Sequence, residues 1–183
     1  MRTLVIGPCG AGKTTFAHRL ARATGVPHVE LDALHWEPGW TEAPLEVFRA
    51  RVDASTAGEA WVVDGNYSVV RDLLWPRATT VVWLDYGFPR VASRLLRRTL
   101  RRSLLREVLW AGNRETLRKA FCSRDSILLW LLQTHGRRRR TTPELLRRPE
   151  HAHLRVERVT SPRQAEALIA RLANSAPRRS GVR

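Results

Sequence analysis

Short apolar runs alternate with segments whose apolar residues recur every three or four positions, and this alternation holds along most of the chain. The β-branched run Thr3-Leu4-Val5-Ile6 predicts a first strand. Beyond a glycine-rich stretch, Phe16, Leu20 and Ala23 recur at helical spacing. They predict a helix over 13–24, ended by Gly25 at C′. Residues 28–31 read as a second strand ending at Asp32. Residues 34–40 follow as an aromatic loop with turn residues, and Pro44 opens a helix with Leu45, Phe48 and Val52 on one face. Trp61-Val62-Val63 predicts a third strand ending at Asp64-Gly65. A short helix over 69–75 is closed by Pro76. Residues 79–84 predict a fourth strand ending at Asp85.

From Pro89 the pattern turns helical again, with Val91, Leu95, Leu96, Thr99 and Leu100 on one face, broken at Gly112-Asn113. Further helix is expected to about Leu132. His135-Gly136 and Arg137 to Arg140 read as a basic loop, and Thr142-Pro143-Glu144 as the start of another short helix. Residues 154–159 alternate like a strand, with His151 and His153 exposed at its edge. Ser161-Pro162-Arg163-Gln164 is a capping box for a last helix ending near Ala173. Five short strands alternating with helices predict an α/β fold: a parallel sheet covered on both faces, with ligands at the carboxyl ends of its strands. Asp32, Asp64 and Asp85 would then share one rim with the glycine-rich loop. Residues 1–173 read as a single domain and 174–183 as a disordered tail.

Composition narrows the class. The chain has 183 residues, a net charge of +15, and two lysines against thirty arginines. Residues 86–150 carry sixteen Arg and one Lys against five acids, a density that attracts polyanions. A skewed Arg-for-Lys usage accounts for part of it as solvated surface. Two cysteines, Cys9 and Cys122, give no disulfide framework, and a reducing cytoplasm fits. The first apolar run leads straight into the glycine loop, so no targeting segment is expected. The longest apolar stretch, 127–132, is too short for a bilayer, so no membrane partner is expected. The oligomeric state is left open.

Gly7-Pro8-Cys9-Gly10-Ala11-Gly12-Lys13-Thr14 matches the phosphate-binding P-loop pattern G-x-x-x-x-G-K-[ST] at every fixed position, between a strand and a helix. Such glycines let the backbone wrap phosphates, so that N–H groups and the helix N-terminus face the anion. The backbone of Gly10, Ala11, Gly12, Lys13, Thr14 and Thr15 would cradle the β-phosphate of ATP, and Lys13 would bridge to the γ-phosphate as a point charge. The Thr14 hydroxyl would ligate Mg²⁺. Asp64, an acid closing an apolar strand, would hold the same ion directly or through water, or else cap the following helix.

Leu31-Asp32-Ala33-Leu34-His35-Trp36 with Pro38-Gly39-Trp40, Val63-Asp64-Gly65-Asn66-Tyr67, Trp83-Leu84-Asp85-Tyr86 and Gly112-Asn113-Arg114-Glu115 resemble the nucleoside monophosphate kinase branch of P-loop proteins. Within that branch they are most similar to bacterial adenylate-kinase-related, or topology modulation, proteins. The resemblance runs to about Ala173. It implies a P-loop NTPase three-layer sandwich with a five-stranded parallel sheet in order 2-3-1-4-5. It also implies a helical acceptor insertion at about 33–58 and an Arg-rich lid at about 99–150. Asp64-Gly65 matches the family's Asp-Gly pair, and the lid arginines fall at Arg94 and Arg98, which share a helix face at i, i+4. Where adenylate kinases continue Phe-Pro-Arg, this chain has Asn66-Tyr67-Ser68, and the nearest cation is Arg71. The acceptor end is therefore altered.

Asp32 is read two ways. It orients or deprotonates an acceptor hydroxyl, as P-loop kinases of small hydroxylated metabolites require and as an ionised phosphate acceptor does not, or it structures its loop. Trp36, Trp40 and Tyr67 either stack on a base or a ring or form the insertion's small core, with His35 beside them. Three functions fit the chain: an ATP·Mg²⁺-dependent kinase of a nucleotide or other small acceptor; a polynucleotide kinase or nucleic-acid-linked ATPase binding through 86–150; and a nucleotide-binding regulator without transfer. The arginines separate the first two. Lid arginines converge on the P-loop, whereas a nucleic-acid surface forms a continuous stripe.

Overall fold

Period-two alternation in the strands decides which apolar residues face which helices. The structure, a computed structural model, describes residues 1–114 and 127–175. Five strands, β1 (Arg2–Ile6), β2 (His28–Glu30), β5 (Trp61–Asp64), β6 (Thr80–Leu84) and β7 (Arg155–Val159), form one parallel sheet in the order β2-β5-β1-β6-β7. This is the 2-3-1-4-5 order of an α/β P-loop NTPase sandwich. Val5, Val62 and Val82 face one side. There they pack on Phe16, Ala17 and Leu20 of α1 (Lys13–Thr24), on Val91 and Leu95 of α5 (Phe88–Leu104), and on Leu168, Ile169 and Leu172 of the C-terminal helix Pro162–Ser175. Leu4, Ile6, Val63, Val81 and Trp83 face the other side, against Phe48 and Val52 of α3 (Leu45–Ser55), Leu74 of α4 (Arg71–Leu74), and Leu146 and Leu154. All five strands point the same way, so the segments after their carboxyl ends gather on one rim. No helix among the described residues is long and apolar enough to cross a membrane.

Several elements differ from the sequence expectation. The second strand stops at Glu30, and Asp32 sits on a five-residue helix, α2 (Leu31–His35). The aromatic loop contains a hairpin of β3 (Trp36–Glu37) and β4 (Thr41–Glu42), turned through Gly39 and Trp40, both at positive φ. Helix α5 ends at Leu104, well before Gly112-Asn113, which closes a 3-10 turn over Trp110–Gly112. The expected basic loop is helical: Ile127–Leu146 runs unbroken through His135-Gly136, Arg137 to Arg140 and Pro143. His135 and Arg139, at i, i+4, anchor that helix. His135 Nε2 lies 3.1 Å from the Tyr86 carbonyl and Arg139 Nε lies 3.0 Å from Asp85. Tertiary anchoring overrides the glycine and proline signals. His151 is buried with its ring 4.5 Å from that of Trp75, not exposed at a strand edge. The last helix extends to Ser175. Glu115, Cys122 and residues 176–183 lie outside the described residues.

Candidate active site

The turn after β1 is shaped by left-handed glycines. Gly10 has φ 80° and Gly12 φ 87°. A Cβ on Gly10 would sit 2.7 Å from the Val91 carbonyl oxygen, so α5 packs directly on the loop. Lys13 Nζ donates to the Pro8 carbonyl at 3.2 Å. Helix α1 starts at Lys13 with no acid in its first turn, leaving its positive pole and free N–H groups for an anion. Arg94 Nη1 donates to the Ala11 carbonyl at 3.4 Å while its guanidinium lies 5.3 Å from the Tyr86 ring centre. Arg98, one turn on, lines the same cleft, and its buried Nε has no partner among the described residues.

Below the loop, the Thr14 hydroxyl donates to Asp64 Oδ2 at 2.7 Å. Asp64 Oδ1 lies 2.7 Å from His28 Nε2, and the Asp64 side chain is 4% exposed. Glu30 Oε1 is 3.2 Å from the Thr14 hydroxyl. Burial raises the Glu30 carboxyl above its ordinary value of 4.5, and the charges of Asp64 and Asp32 add to it against the Trp110 and Thr14 hydrogen bonds. No group of three His, Cys, Asp or Glu side chains is gathered as a metal cage among the described residues. One hydroxyl and one carboxylate are nonetheless the sparse oxygen set that suits Mg²⁺, which keeps its waters and takes the rest of its ligands from phosphates. The donor set therefore fits.

Across the cleft, Asp32 Oδ1 accepts from the Tyr67 hydroxyl at 2.5 Å. Burial, and then Asp32, push the Tyr67 phenol far above its ordinary value, so it stays a donor. His35 is wedged between Trp36, Phe48 and Tyr67, with ring centres at 4.9, 4.9 and 4.6 Å. Trp36 and Trp40 continue this wall at 5.5 Å, and Trp110 meets Trp40 at 6.3 Å. Gly65 has φ 137°, and a Cβ there would meet the Leu31 side chain at 2.8 Å. Asn113 ties the insertion to the segment after α5. Its Nδ2 donates to the Glu37 carbonyl at 2.8 Å, and its Oδ1 accepts from Trp40 N at 2.9 Å.

One cleft of about 1710 Å³ is lined by the P-loop from Gly10 to Thr15 and by Asp32, His35, Trp36, Trp40, Gly65, Tyr67, Arg94 and Arg98. Its charges are segregated. Between residues 30 and 69 its lining contains Glu30, Asp32 and Glu42 and no Lys or Arg, whereas Arg94, Arg97, Arg98, Arg101, Arg102 and Arg138 line it from the α5 side and the helix Ile127–Leu146, and Arg114, bonded through its carbonyl to Trp40, lines it beside the hairpin. The insertion's own arginines are engaged elsewhere: Arg49 pairs with Asp72, and Arg51 with Glu37.

Arg71, a candidate acceptor-binding residue, and Asp85, an expected rim acid, are placed differently. Arg71 does not line the cleft; its guanidinium lies over Trp75, 5.3 Å from the ring centre. Asp85 turns into a structural pairing, accepting from Arg158 at 2.9 and 2.5 Å and from Arg139 at 3.0 Å. Sequence reading missed His28, Glu30, Arg138 and Trp110. His28 and Glu30, two apart at the end of β2, could have been found by their shared face.

No protein-family model matches the chain, and no curated protein matches it. Among solved structures, it is similar to a gluconokinase from Sinorhizobium meliloti 1021, at 22% identity and TM-score 0.51 over 94% of this chain and 93% of that one. It is also similar to a shikimate kinase from Bacteroides thetaiotaomicron, at 16% and 0.55 over 96% and 97% of the two chains. A shikimate kinase from Aquifex aeolicus matches at 14% and 0.52 over 96% and 95%. At these identities the likeness establishes the shared fold. It does not single out the adenylate-kinase-related group that the motifs resemble.

Proposed function

We propose that the protein is an ATP-dependent P-loop kinase that phosphorylates a hydroxyl of a small, ring-bearing acceptor. The observation that carries this reading is the placement of Asp32. It lines the same cleft as the phosphate loop, held by Tyr67, among lining residues 30–69 that present carboxylates and aromatic rings and no Lys or Arg. A nucleoside monophosphate needs a cation there for its phosphate and needs no base. Asn66-Tyr67-Ser68 and the displaced Arg71 supply neither its cation nor a substitute. The folds this chain shares belong to proteins named for gluconate and shikimate, both hydroxylated compounds, which supports a hydroxyl as the accepting group.

In this mechanism Asp32 takes the proton of the acceptor hydroxyl as that oxygen bonds to the γ-phosphorus. The bond from the γ-phosphorus to the β,γ-bridging oxygen breaks, and ADP leaves with its electrons. The Tyr67 hydroxyl keeps Asp32 oriented. Lys13 and the loop N–H groups hold the β- and γ-phosphates, while Arg94 and Arg98 offset charge on the phosphoryl in flight. When bound, Mg²⁺ supplies further charge neutralisation to the phosphates, held by Thr14 and Asp64. Five arginines of α5 line the cleft, which favours this reading over a nucleic-acid stripe.

The test is ADP formation from Mg-ATP with a panel of hydroxylated metabolites and of nucleoside monophosphates, with Lys13→Ala as blank. Stimulation by one hydroxylated compound supports the reading. Stimulation by a monophosphate alone, or by DNA alone, overturns it.

A further inference from the structure

His28 stands beside the carboxylate assigned to the metal, and the mechanism above gives it no part. It does not line the cleft. Its place follows from the sheet. β2 pairs in parallel with β5, His28 in register with Val62 and Glu30 with Asp64. Residues 28 and 30 share a face, which turns the imidazole toward the end of β5. Its Nε2 lies 2.7 Å from Asp64 Oδ1 while Thr14 holds Oδ2 at 2.7 Å. An ionised carboxylate only accepts, so Nε2 carries the proton in this contact.

With its side chain 4% exposed, Asp64 has little water to choose among rotamers for it, and these two contacts set its orientation. The Thr14 contact is the one an incoming cation must share or displace, since both groups belong to its ligand set. The His28 contact lies on the opposite oxygen and can persist.

We propose that His28 is a positioning residue for Asp64: it holds Oδ1 so that Oδ2 stays aimed at the Thr14 side, where a nucleotide-bound divalent cation would be ligated. The proposal rests on the kinase reading. A residue that orients a ligating carboxylate changes cation affinity by about 10–100-fold when removed. A residue that merely pins β2 to β5 would lower fold stability and metal-free nucleotide binding together.

The experiment titrates Mn²⁺ into the protein·ADP complex, following free Mn²⁺ by electron paramagnetic resonance. ADP affinity is measured without metal by calorimetry, and melting temperature alongside. His28→Ala is expected to weaken Mn²⁺ binding about 10-fold or more, with metal-free ADP affinity held within about twofold. His28→Gln, whose amide can still donate, is expected to recover most of the loss. His28→Asn, too short to reach, should behave as His28→Ala and carries the comparison if that variant does not fold. Mn²⁺ affinity unchanged in His28→Ala, or metal-free and metal-dependent binding weakened equally, overturns the proposal. Wild-type protein that binds no Mn²⁺ with ADP overturns the kinase reading itself, and this inference with it.

Discussion

At the scale of single residues, two carboxylates on one rim are set to different tasks by their surroundings. Asp32 is anchored by a phenol that remains a donor, and Asp32→Asn keeps that hydrogen bond while losing the base. Its kcat is expected to fall by about 10²–10⁴ with the KM for ATP little changed. An unaltered kcat in steady-state assays would return Asp32 to a loop-structuring role. Glu30 is raised above 4.5 by burial, with Asp64 and Asp32 adding to it. A carboxyl that binds its proton more tightly folded than unfolded contributes stability fully present below about pH 4.5, lost as pH rises through the raised folded value. Glu30→Gln is free of that loss. Thermal melts without metal should therefore show the variant gaining on wild type as pH rises above about 4.5. A pH-independent difference would show that Glu30 titrates at its ordinary value.

At the scale of elements, the β3–β4 hairpin and the segment after α5 are joined through one buried side chain. Asn113 is 5% exposed and spends both ends of its amide on the β3–β4 hairpin, while the Trp40 indole donates to the Arg114 carbonyl at 3.1 Å. Trp40 and Ala111 hold left-handed φ values of 62° and 52° on either side of this joint. Asn113→Ala leaves the Glu37 carbonyl and the Trp40 N–H without their partner. It is expected to cost about 1–3 kcal/mol and to raise hydrogen exchange in residues 36–42, with exchange in β1 and β5 unchanged. Uniform protection in the variant would contradict the joint. The same scale shows what the sequence made legible. Strand, P-loop and helix are one local pattern, readable without a fold. The pairs His28–Asp64 and Tyr67–Asp32, at separations of 36 and 35 residues, exist only once register and insertion are in place. Gly136 and Pro143 read as breaks because neither the Asp85 nor the Tyr86 anchor of that helix has a local signature.

At the scale of the whole molecule, parallel strand order gathers the phosphate loop, the acids and the start of α5 on one rim, and Asp85 locks the far side of it. Asp85 is 3% exposed and bridges β6, Arg158 of β7 and Arg139 of the long helix. Asp85→Ala is expected to lose about 2–3 kcal/mol in denaturant unfolding, less than a fully buried network because both arginines are half-exposed. The folded fraction should keep its nucleotide affinity, because Asp85 does not line the main cleft. The cleft is likewise organised: α5 lines it with arginines, while its lining between residues 30 and 69 is acidic and aromatic. Transfer to a hydroxyl is tested most directly by following γ-labelled ATP to its product with the best acceptor from the panel. The label is expected in an acid-stable phosphate ester of the acceptor hydroxyl, at a rate that Lys13→Ala abolishes and Asp32→Asn lowers by about 10²–10⁴. Label found only in inorganic phosphate, or in a nucleoside diphosphate, would contradict a hydroxyl kinase.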